Sequence, residues 1–431
     1  MLIETQGAID VSSGLPASSS TSERVIVIGT LVCVLAALLR RSFVLLPGVD
    51  RSSRRSSSLT EPLVPARLKA DAELYQLLER HKNAQNALRC QSLDAFRGLT
   101  LCLMVFVNYG GGGFAVFTHS VWDGLTVADL VFPWFAWILG FSVFLSSCSR
   151  RDESTVQTFV GIGQRTAKLF VLGLFINNGD SWSDWRIPGV LQALSAAYMV
   201  VAVADWGLSR RSGRSYKQQH VSKFVGWHVV FGVIPLVLIN LLLTFKLPVP
   251  GCPTGYIGPG GLADDGAYQN CTGGAHLYVD SLVFGQHHLF QTPTCQKRYQ
   301  TGPYDPEGLL NWLMVATAAY IGYLQASSCS ALGAEGSGSS PAGPGFHSTR
   351  TCGRYPSLKW PGVACVAVGR NSIAIYVMHE VCQHFAPFAP KPVEGGEEIP
   401  RLEFLLYNLV GVVTWVVVAQ WMDRNEIYIK I

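Results

Sequence analysis

Runs of roughly twenty apolar residues recur along this chain, each long enough to cross a bilayer as a helix. Hydrocarbon offers no partner to backbone N–H and C=O groups, so a crossing segment must be helical or part of a closed barrel. The run lengths here are those of helices. They predict spans at 25–46, 98–118, 127–148, 159–177, 188–208, 224–245, 308–326, 361–383 and 402–422, about nine in all. Composition agrees: 49% of the 431 residues are hydrophobic and 14% are charged, against roughly 25% charged in a soluble globular chain. The predicted fold class is all-α, a polytopic transmembrane helix bundle with one long loop.

Lys and Arg set its orientation. The segment 47–96 carries Arg51, Arg54, Arg55, Arg67, Lys69, Arg80, Lys82 and Arg89, and the loop near 207–224 carries Arg210, Arg211, Arg214, Lys217 and Lys223 without an acid. Both are expected in the cytoplasm. His119 and the loop 246–307 then face the other side, with the C-terminus cytoplasmic. That loop holds the sequon Asn270-Cys271-Thr272, an acceptor for N-glycosylation on a lumenal face. Its three cysteines, Cys252, Cys271 and Cys295, suit an oxidising compartment. They cannot all pair within the loop, and Cys252 with Cys271 is the preferred pair. The net charge of +4 belongs to cytoplasmic loops and gives no sign of nucleic-acid binding.

The expected organisation is a disordered polar tail at 1–24, a first span at 25–46 and a basic cytoplasmic segment at 47–96. A transmembrane catalytic core follows at 97–245, then the lumenal Cys/Gly/Pro loop 246–307 and a span at 308–326. A disordered Gly/Ser-rich cytoplasmic linker is expected at 327–360, and a transmembrane hairpin at 361–431. Residues 66–88 read as a charged amphipathic helix. Within it, Glu73 ahead of Leu77-Leu78 has the pattern of an endolysosomal sorting signal.

The stretch 94–140 carries the chemistry. A turn between two spans holds His119, Asp123 and Asp129 where hydrocarbon meets water, a costly depth for ionisable groups and hence a candidate site. His119 at such a place is a proton acceptor, a nucleophile or a plain interfacial polar group. Asn108 offers an amide from the preceding span, and Gly110 to Gly113 leave the backbone open to close approach. Asp129 can orient the imidazole or balance its charge, and helix packing explains it equally well. Together these parts suit acyl transfer to an amine, which needs a base or acyl carrier and an oxyanion donor. The same residues also suit a proton or solute path in a transporter or channel. The residues alone leave both readings open. His287-His288 and the scattered cysteines have no metal-ligand spacing, so no metal is assigned.

Several segments, quoted as they stand, resemble the heparan-alpha-glucosaminide N-acetyltransferase family of lysosomal membrane enzymes: SLDAFRG, VFVNYGGG, WDGLTVADLVFPW, WRIPGVLQ, PVPGCPTGYIGPGG, YQNCTGG, YDPEG and GRNSIAIYVMHE. The resemblance covers 90–326 and 360–431. It implies acetyl transfer from cytosolic acetyl-CoA, a co-substrate rather than a resident cofactor, to the terminal glucosamine amine of heparan sulfate in the lysosomal lumen. It places the active-site His on His119 and the associated Asn on Asn108. Arg97, Arg165 and Lys168 become candidates for the coenzyme A phosphates, although an Arg at a span end also snorkels to headgroups. Arg186 becomes a candidate for a sulfated sugar or an interfacial anchor, and His379 for substrate binding. Lipid surrounds the bundle, and a homodimer is a possible assembly. Against the family, the chain is expected to lack a folded lumenal domain and about two helices, so a catalytically impaired splice form stands beside the active enzyme.

Overall fold

The computed structural model describes residues 90–149, 154–178, 185–211, 221–335, 362–383 and 401–429. The first predicted span, the amphipathic segment 66–88 and its sorting signal lie outside these residues. The described part is helical, with no strand among the described residues.

Helix α1, Gln91–Asn108, carries a predicted span but stops short of its predicted end at 118. Gly110, Gly111, Gly112 and Gly113 all take positive φ, which glycine adopts without steric cost. Two tight turns then carry the chain to Thr118. A broken helix at membrane depth needs other partners for its backbone. Asn408, from a helix three hundred residues on, accepts from the Gly112 N–H at 2.7 Å and donates to the Tyr109 carbonyl at 2.6 Å. It is fully buried.

Helix α2, Val127–Ser149, begins where the Asp129 carboxylate accepts the backbone N–H and the hydroxyl of Thr126, each at 3.0 Å. This satisfies a donor that a helix start otherwise leaves orphaned. Helix α3, Thr155–Asn177, opens with a full capping box between Ser154 and Gln157. Helix α4, Val190–Arg211, follows. Helix α5, Val221–His228, widens through a π turn at Val229–Val233 into α6, Ile234–Lys246. Pro235 explains the widening, because it has no N–H to continue the ladder.

The loop that follows is crossed by short helices α7, Ala275–Val283, and α8, Gln296–Tyr299. A disulfide joins Cys252 to Cys271, while Cys295 stays a buried free thiol. Helix α9 runs Leu309–Glu335, nine residues past the predicted span, so the start of the expected disordered linker is helical. Its Gly/Ser composition hides this, because serines tolerate a helix when their hydroxyls bond back to it. Ser328 donates to the Leu324 carbonyl at 3.0 Å. The predicted span 361–383 is two helices, α10 at Gly362–Arg370 and α11 at Ser372–Cys382, broken at the buried Asn371. Helix α12 is Arg401–Arg424.

Two close crossings organise the packing. In one, Gly98 of α1 lies against the Cys365 carbonyl of α10, and Gly369 of α10 lies against the Asp94 carbonyl of α1. In the other, Gly140 of α2 meets Ala319 of α9, and Gly322 of α9 meets Trp137 of α2. Each helix contributes a glycine to its partner's backbone, the small-residue contact favoured where lipid supplies no hydrophobic drive. One apolar core gathers α2, α4, α5 and α9, and a second gathers α1, α10, α11 and α12.

Five of the described helices are long and apolar enough to cross a membrane: Val127–Cys148, Thr155–Asn177, Val190–Leu208, Phe224–Lys246 and Leu402–Arg424. The predicted count of nine is not reached among the described residues. Exposed faces such as Val171 and Phe175, Leu238 and Leu242, or Val410 and Val417 offer apolar surface suited to acyl chains.

Candidate active site

His119 follows the glycine turns on a short extended stretch. Its side chain is 54% exposed, and its Nδ1 lies 2.8 Å from Asp129 Oδ1. A carboxylate only accepts, so Nδ1 carries a proton, and in the neutral ring Nε2 keeps its lone pair. The other Asp129 oxygen takes the Thr126 donors and, at 3.4 Å, the Ser120 N–H. Asp129 therefore starts α2 and fixes the imidazole at once. A ring contact at 5.1 Å between Phe106 of α1 and Phe117 ties the turn down from below. From above, Trp122 donates to the Ile257 carbonyl at 3.1 Å and packs on Tyr304 at 5.2 Å.

Asn108 closes α1 and reaches α11. Its Nδ2 lies 3.1 Å from His379 Nε2 and 3.0 Å from Glu380 Oε1. The amide nitrogen donates to Glu380, whose Oε1 also lies 3.3 Å from His379 Nε2. Glu380 also decides the orientation of the amide, since the flipped form would set two acceptors against each other. Asn108 is thereby held against α11 through its amide. What it presents is a carbonyl oxygen. His379 is completely buried, and its Nδ1 has no hydrogen-bond partner among the described residues. It supports Asn108, and its burial does not suit the direct substrate contact expected of it.

Arg186 lies between α3 and α4, where Asn178 accepts its backbone N–H at 2.6 Å and donates to its carbonyl at 2.9 Å. Its guanidinium grips Asp305 with two hydrogen bonds of 2.7 Å and Glu307 with one of 2.8 Å. The ring of Phe290 lies 4.6 Å beneath it. Two carboxylates already match its single charge, so a free cation awaiting a sulfated sugar is not what the structure shows. Asp305 is buried, whereas Glu307 keeps about a fifth of its side chain exposed. Desolvation raises the Glu307 pKa, and Arg186 opposes that. Asp305 adds to the rise, while the nearby His119 pulls the other way. Glu307 is therefore within electrostatic reach of His119.

Of the basic residues proposed for coenzyme A, Arg97 lies on α1 and Arg165 and Lys168 lie on α3. Arg97 donates to Asp94, the Gly369 carbonyl and Ser142, knitting α1 to α10 and α2. Arg165 lies over the Tyr198 ring at 4.7 Å, between α3 and α4. Lys168 is exposed on α3. Asn270 is exposed beside the disulfide. Sequence reasoning missed Asp305 and Glu307 as site residues. The available signal was charge: two acids and Arg186 all stand at the heads of spans on the same face.

No family model matches the chain. It is 37% identical over 413 aligned residues to the mouse protein named heparan-alpha-glucosaminide N-acetyltransferase, covering 82% of this chain and 62% of the mouse protein. The human protein of that name is 37% identical over 404 residues, covering 80% of this chain and 60% of its own length. The chain thus spans about three fifths of the length of the curated relatives it matches. Over some four fifths of its own length, the chain is similar to the mouse and human heparan-alpha-glucosaminide N-acetyltransferases.

Proposed function

We propose that the chain transfers the acetyl group of acetyl-CoA to the terminal glucosamine amine of heparan sulfate. One observation carries the reading: an exposed imidazole, oriented through Nδ1 by a carboxylate, at the head of an apolar helix of membrane length. Asp129 holds the tautomer in which Nε2 is a base and stabilises the imidazolium that forms. Nε2 takes the N–H proton as the amine nitrogen bonds to the thioester carbon. As the C–S bond breaks, the imidazolium returns that proton to the departing thiolate. Asn108, held by His379 and Glu380, presents its carbonyl oxygen to an N–H of the acceptor. His119 and the loop 246–307 face the lumen of the lysosome, and acetyl-CoA approaches from the cytosol. The basic loops, the Asn270 sequon and the disulfide in that loop support this sidedness.

The test is acetyl transfer from labelled acetyl-CoA to methyl glucosaminide by the purified chain in detergent. His119→Ala should lower the rate by about 10²–10⁴-fold, the usual worth of general base catalysis. A variant within about tenfold of the parent would refute the role of His119. A parent that transfers nothing in detergent would refute the enzyme reading.

A further inference from the structure

Glu307 is a carboxylate that the mechanism above leaves unused, and its surroundings are unusual. Arg186 spends both arms of its fork on Asp305 and shares only Nη2 with Glu307 Oε2. Asp305 is further held by the N–H groups of Phe290 at 3.2 Å and of Glu307 itself at 3.0 Å. The cluster sets two carboxyl groups against one cation, and Glu307 is its partly exposed acid. Trp312 donates to the Glu307 carbonyl at 2.8 Å and pins the backbone at the head of α9. Oε1 receives no hydrogen bond among the described residues, and the carboxylate lies within electrostatic reach of His119.

We infer that Glu307 is the acceptor-binding residue of this site: its carboxylate holds the acceptor amine as its ammonium and takes the first proton from it. The inference rests on the proposed acetyl transfer. An amine is mostly protonated in acid, and an ammonium has no lone pair with which to attack a thioester. Two protons must leave before the amide is complete. In the first transfer an N–H bond breaks, an O–H bond forms on Glu307, and the nitrogen recovers its lone pair. His119 then takes the second proton during attack and passes it to the thiolate. The Glu307 proton is released to the lumenal water, which balances the reaction as ammonium plus thioester giving amide, thiol and one proton. Asp129 cannot take this part, because both its oxygens are committed to His119, Thr126 and Ser120. Asp305 cannot either, being buried under Arg186.

The experiment compares methyl glucosaminide with methyl glucoside, which replaces the amine by a hydroxyl, as ligands of the full chain in detergent. Binding is measured for the parent, Glu307→Gln and Glu307→Asp. Arg186 and Asp305 keep their bidentate pair in each, so the fold is preserved; acetyl-CoA binding checks this. The parent should prefer the amine, and Glu307→Gln should lose about 10- to 100-fold of that preference, the worth of a charge-assisted hydrogen bond. Glu307→Asp should restore part of it. In transfer assays Glu307→Gln should raise KM for the amine more than it lowers kcat. A Glu307→Gln chain that binds acetyl-CoA and keeps the parent's preference would overturn the inference alone. A parent without any preference for the amine would overturn it together with the proposed function.

Discussion

Asp280 is the residue whose replacement tests the electrostatics of the loop 246–307 most directly. It stands on α7, is 1% exposed, and accepts the Leu309 N–H at 2.8 Å, capping α9 from another element. Gly308 lies so close to its carboxylate that a Cβ there would collide with it. Desolvation raises its pKa from 3.8 to about 7, with Asp305 adding to the rise and the Leu309 N–H opposing it. The folded chain therefore keeps a proton that the unfolded chain, with an ordinary carboxylate, releases. Stability from this group is full below about pH 4 and is lost as pH rises towards about 7. A shift of about three units at 1.36 kcal/mol each sets a ceiling of about 4 kcal/mol. Asp280→Asn keeps the shape and the acceptor for Leu309 but cannot ionise. Thermal unfolding in detergent at about pH 4.5 and about pH 7.5 should show the parent weakening at the higher pH and the variant weakening much less. Glu307, whose raised pKa acts in the same direction, is present in both proteins, so the difference between them isolates Asp280. A parent that gains stability over this range, or a variant with the parent's slope, would refute the reasoning.

Arg186→Met leaves Asp305 buried without its cation and should cost about 3–5 kcal/mol, measured as thermal stability. Combining it with Asp305→Asn should cost less than the sum of the two single changes, and additive costs would deny the pair. Gly140→Ala forces a methyl into the Ala319 carbonyl and should lower stability by about 1–3 kcal/mol, whereas Gly163→Ala meets open space and should be near neutral. Expression in eukaryotic cells should give a glycosidase-sensitive mass shift that Asn270→Gln abolishes; an unmodified Asn270 with a protease-protected 207–224 loop would invert the sidedness proposed above.

The sequence determined the helical class and the approximate place of most spans, because a bilayer-length apolar run can satisfy its backbone in few other ways. It also held His119 and Asp129 close together, ten residues apart across one helix start, so their juxtaposition depends on local geometry. Composition misled where it stood in for contacts. The glycines at 110–113 sit inside an apolar run yet end α1, since the Asn408 that satisfies the broken backbone comes from α12. Ser327 and Ser328 read as linker and are helical, because their hydroxyls bond back to Leu324. The rest of the site was decided by tertiary structure alone. Asn108 meets His379 and Glu380 across some 270 residues, and Arg186 meets Asp305 and Glu307 across some 120. In the sequence each of these is a polar residue near a span end, free to face water, lipid headgroups or a partner. Only the packing of α1 against α10 and α11 and the folding of the loop 246–307 over the helix heads bring these groups within hydrogen-bond distance. That proximity turns Arg186 from a waiting cation into a paired clamp and leaves Glu307 as the partly exposed acid of the cluster.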